Sequence, residues 1–165
     1  LSLTSIMSSS GNRKASRAKP KALQALLSKP PDPNDPDRVV EHLVGVFGVI
    51  GSPGYPTDRA ELKRMLARSV HRSYYPAGTA RQLVAIVASG DRRALLKRIA
   101  VPTLVIHGAA DPLVPVEAGR DTARHIAGAK LLVIEGMGHD LAPGVQPMLV
   151  EAIASHCGAA AAVVS

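Results

Sequence analysis

The chain has 165 residues, 46% of them hydrophobic and 20% charged, a balance that fits one folded domain and excludes wholesale disorder. Aromatic residues make up only 2%, all of them (Phe47, Tyr55, Tyr74 and Tyr75) in the middle of the chain, which argues against base-stacking platforms for single-stranded nucleic acid. The net charge of +7 raises an anionic partner, but Arg59, Lys63, Arg64, Arg68, Arg72, Arg92, Arg93, Lys97 and Arg98 fall on helical patterns and read as solvated faces, so nucleic acid is not expected to bind. Cys157 is the one cysteine, so no disulfide can form within the chain. The sequence shows no signal peptide and no apolar run of membrane-spanning length; no membrane partner and a cytoplasmic location are expected.

Leu1 to Met7 alternates apolar and polar residues and predicts a strand, ended by the Ser-Ser-Ser-Gly-Asn of residues 8–12. Residues 13–35 are rich in Lys, Arg, Pro, Asp and Asn and read as a connecting segment with one short helical stretch, Ala22 to Leu27. Asp35-Pro36 opens a helix, with an acidic cap before a first-turn proline, and Val39, Val40, Leu43, Val44, Val46 and Phe47 give it a wide apolar face. The Gly51 to Pro56 stretch breaks that helix. Asp58 and Glu61 have capping-box spacing at the head of a helix carrying Leu62, Met65, Leu66 and Val70, and Leu83, Ile86 and Val87 mark another over about 77–88.

From Asp91 the pattern changes to a short helix over 94–99, a buried strand over 103–107, a helix over 116–126 and a second buried strand over 130–135. A last helix covers 145–156, and the Gly-Ala-rich residues 158–165 read as a disordered tail. This alternation predicts an α/β fold with parallel strands and crossover helices.

Two loops in this part carry chemistry. Asp111 stands just past the strand over 103–107, in "VIHGAADPLVP", and His139 just past the strand over 130–135, in "IEGMGHDLAP". Neighbouring parallel strands would put both at one rim of the sheet, where functional groups collect. A carboxylate that holds an imidazole in one tautomer, leaving the other ring nitrogen to move a proton, is the acid–base part of a catalytic triad. The plain alternative is an aspartate that shapes a turn beside a histidine in a loop. His107, Asp111 and Glu135 could be taken for metal ligands, but the last position of a buried strand suits a ligand poorly, and no metal is expected.

These two motifs resemble the C-terminal part of an α/β-hydrolase-fold enzyme, in the subgroup of small esterases and hydrolases related to aclacinomycin methylesterase. In that family the order along the chain is nucleophile, acid, histidine. The resemblance implies Asp111 as the acid and His139 as the base. It implies residues 1–12 as the core strand after the nucleophile region, 13–90 as linker and helical cap insertion, and 91–157 as the C-terminal core. Phe47, Tyr55, Tyr74 and Tyr75 become candidates for lining the substrate pocket, or equally for the core of the cap. The activity implied is hydrolysis of a small ester-like substrate without a cofactor. The chain departs from the family in lacking a G-x-S-x-G elbow. Ser8, Ser9 and Ser10 follow a strand without the elbow glycines. The expectation is a truncated enzyme, inactive alone, whose missing N-terminal half carries the nucleophile. A non-catalytic binding protein of the same fold is the alternative.

Overall fold

The computed structural model describes residues 1–162. Its elements, in chain order, are β1 (Leu3–Ile6), α1 (Pro20–Leu27), α2 (Pro36–Ile50), α3 (Arg59–Arg72), α4 (Pro76–Ser89), α5 (Arg93–Leu96), β2 (Thr103–Gly108), α6 (Val116–Arg124), β3 (Lys130–Ile134) and α7 (Gln146–Ala162). The three strands form one parallel sheet in the order β1-β2-β3, with Ile6 opposite Ile106 and Ile106 opposite Leu132. Every residue of the central strand β2 is buried, as a continuous apolar run in a parallel sheet requires.

Two apolar clusters organise the chain. One joins Leu104, Ile106 and Ile134 of the sheet to Met137, Ala142, Val145 and Leu149 of the following loop and α7. The other lies between α2 and α3, built from Val39, Val40, Val44, Leu66 and Val70. Asp35 caps α2 by accepting from the backbone of Asp37 and Arg38, and Asp58 caps α3 by accepting from Ala60 and Glu61. Each cap satisfies amides that have no partner inside the helix. Glu41 of α2 ties the pair on its outer side, 2.9 Å from Arg59 and 2.5 Å from Lys63.

Four features differ from the sequence reading. The strand expected to be buried over 130–135 is β3, which ends at Ile134 and lies at an edge of the sheet, so that Lys130 and Leu131 are exposed and only Ile134 is buried. Helix α4 forms, but no residue of it is buried, and Val84, Ile86 and Val87 are about two-thirds exposed (68%, 67% and 71%). Helix α6 stops at Arg124, because the chain turns through His125 to the left-handed Gly128 (φ 70°) before β3. Helix α7 continues through 158–162, where a disordered tail was expected; alanine is the strongest helix former, and Ala160 is buried. The rest of that expected tail, 163–165, lies outside the described residues.

Candidate active site

The site begins with the two loops that leave β2 and β3 at the same end of the sheet. Ala109 donates to the Ile134 carbonyl and Ala110 to the Met137 carbonyl, each at 3.0 Å, so the loops run side by side. Gly108 makes this approach possible: a Cβ there would lie 2.3 Å from the Met137 oxygen.

Asp111, 3% exposed, accepts at one carboxylate oxygen from the backbone of Leu113 and Val114, at 2.9 and 2.8 Å. Its other oxygen, Oδ2, lies 2.7 Å from Nδ1 of His139. Because a carboxylate accepts, Nδ1 of His139 donates, and in the neutral imidazole this leaves the lone pair on Nε2. The His139 side chain is 25% exposed, so the imidazole is reachable while the carboxylate that orients it is not. A neutral imidazole held in this way can take a proton at Nε2 from a hydroxyl and return it to a leaving group.

His107 stands behind this pair, fully buried, with Nε2 donating to the Val114 carbonyl at 2.7 Å. It supports the acid loop from within and lies 3.7 Å from Asp111 Oδ2, beyond hydrogen-bond reach. Among the described residues its Nδ1 has no partner; it faces α6, where Gly119 leaves room for the ring. Glu135 is exposed, and no cluster of three or more metal-ligating side chains occurs among the described residues.

A cavity of about 350 Å³ lies between α2, α3 and the loops that carry Asp111 and His139; its lining includes Phe47, Ser52, Leu62, Ala110, Pro112 and Asp140. Phe47 thus reaches the cavity. Tyr55 packs instead on the core cluster of Met137 and Val145. Tyr74 and Tyr75 lie outside the cavity, exposed at the α3–α4 junction, with the Arg81 guanidinium 5.1 Å from the Tyr75 ring centre. They lie in the link between the two helices, beyond the end of α3 at Arg72, so neither is carried on the inner face of α3.

The three serines after β1 are engaged elsewhere. Ser8 bonds Ser5 at 2.6 Å, Ser9 accepts from the Gly11 amide, and buried Ser10 donates to Asp121 at 2.5 Å. No hydroxyl or thiol is hydrogen-bonded to His139 Nε2 among the described residues. The sequence reading missed Ser52 and Asp140, which hold the histidine loop against the end of α2.

This architecture is an α/β-hydrolase fold. A meta-cleavage product hydrolase of Pseudomonas fluorescens superimposes with a TM-score of 0.70 at 16% identity, over 95% of this chain and 55% of that one. The family model described as serine aminopeptidase, S33, matches residues 53–143, more than half of the chain, and the chain belongs to that family. A rhodomycin D methylesterase of Streptomyces peucetius is 28% identical over 139 residues, 84% of this chain and 46% of that protein. A second rhodomycin D methylesterase, from Streptomyces sp. strain C5, is 30% identical over the same shares. The chain therefore spans about half the length of these curated relatives.

Proposed function

We propose that this chain supplies the acid and the base of an α/β-fold serine hydrolase that cleaves carboxylic esters. The observation that carries the reading is the 2.7 Å contact between buried Asp111 and partly exposed His139 at the mouths of adjacent parallel strands. Asp111 fixes the tautomer and stabilises the imidazolium; His139 Nε2 takes the proton of the attacking serine and hands it to the departing alkoxide. The nucleophile comes from residues outside this chain, in keeping with relatives about twice its length. The ester class is supported by the two methylesterases and by a monoacylglycerol lipase of Mycolicibacterium smegmatis, 29% identical over 137 residues. The cavity of Phe47 and Leu62 receives the apolar part of a small substrate. Residues 13–90 act as the cap that shapes it.

The test is turnover of short aryl esters by the complete protein. His139→Ala lowers kcat by about 10³-fold or more, and Asp111→Asn by a comparable factor. Unchanged turnover in His139→Ala would remove the triad, and no turnover by the complete parent protein would leave a binding protein with a hydrolase fold.

A further inference from the structure

We infer that Ser52 is a positioning residue for His139 and acts as a latch between the cap helix α2 and the histidine loop. Ser52 is 5% exposed, in the turn that ends α2. Its hydroxyl oxygen accepts from the Gly138 amide at 2.8 Å, and its proton goes to the Asp140 carboxylate. One side chain therefore holds the residues on both sides of His139. His139 itself donates its backbone amide to the Ile50 carbonyl at 2.7 Å, and Gly54 donates to the Gly136 carbonyl at 2.9 Å.

The backbones meet closely enough that glycine is required on both sides. A Cβ at Gly138 would lie 2.2 Å from the Gly51 carbonyl oxygen, and one at Gly54 would lie 2.8 Å from the Gly136 Cα. The imidazole is thus set from two directions. Asp111 grips its ring from the core, while the turn after α2 grips its backbone from the cap. Removing the Ser52 hydroxyl leaves the Gly138 amide, a buried donor, without its acceptor, and frees the Asp140 carboxylate to turn away. Gly51, Ser52 and Asp140 also line the 350 Å³ cavity, so a bound substrate touches the latch directly.

The inference rests on the Asp111–His139 reading, but its test needs no turnover, so loss of the hydrolase reading and loss of the latch are separable. In the complete protein the His139 Nδ1 proton, assigned by its loss in His139→Ala, is followed by NMR together with exchange of the Gly138 and His139 amides. Ser52→Ala erases or broadens the Nδ1 signal and speeds both amides about tenfold, while amides of β2 keep their protection. Asp140→Asn, which retains an acceptor for Ser52, behaves as the parent chain; Asp140→Ala speeds exchange. An intact Nδ1 signal with unchanged exchange in Ser52→Ala overturns the latch. Were that variant not to fold, identical behaviour of Asp140→Ala and Asp140→Asn would overturn it as well.

Discussion

At the scale of single residues, polar groups under the surface do two separate jobs. Asp111 spends its carboxylate on one imidazole and two backbone amides. Asp121, also buried, accepts from Ser10 at 2.5 Å and Asn12 at 3.3 Å, and so ties the segment after β1 to α6. Burial works to raise the pKa of Asp121, but the hydrogen bonds from Ser10 and Asn12 and the charges of His125 and Arg124 outweigh it and hold the carboxyl below its ordinary value. A group with a depressed folded-state pKa stabilises the fold above its unfolded value, about 3.9, and loses that contribution as pH falls through the folded value. The melting temperature of the parent chain should therefore fall more steeply below about pH 4 than that of Asp121→Asn, as thermal scans across acidic pH would show. At Gly108 the constraint is steric. Gly108→Ala should cost about 2 kcal/mol or more in urea unfolding, because the added carbon meets the Met137 carbonyl and the loops must separate. The Asp111 and His139 positions were legible because each sits in a glycine-marked loop directly after an apolar run. Ser52 and Asp140 were not: they are 88 positions apart, and a serine in a Gly-Ser-Pro-Gly turn carries no sign of a distant partner.

At the scale of elements, helices follow the local signals closely, and their burial does not. Asp35-Pro36 and Asp58 start α2 and α3 where capping chemistry places them, and the Val39/Val40/Val44 face finds Leu66 and Val70. Helix α4 shows the same kind of apolar repeat in Leu83, Ile86 and Val87, but the period names only a side of the helix and cannot say what that side meets. The poly-alanine end of α7 was obscured for a different reason, since low complexity and high helix propensity look alike in composition. The contrast is measurable by denaturant unfolding. Val40→Ala, at 1% exposure, should cost about 2 kcal/mol, and Ile86→Ala, at 67%, should stay within about 0.5 kcal/mol of the parent.

At the scale of the whole molecule, a three-stranded parallel sheet holds Asp111 and His139 at one rim. The outer edge of β1 carries no paired strand among the described residues. Parallel sheets ordinarily keep both faces covered and their inner strands paired. The 165-residue chain alone should therefore associate as its concentration rises, a mass increase that light scattering after size-exclusion chromatography would detect. Within the complete protein, the same edge is where we place the part of the sheet that brings the nucleophile. The decisive measurement is labelling of the complete protein with a fluorophosphonate, with the modified residue located by peptide mass spectrometry. One serine outside residues 1–165 should be labelled, and labelling should slow by about 10³-fold or more in His139→Ala. Labelling of a serine inside this chain, or an equal rate without His139, would contradict this reading.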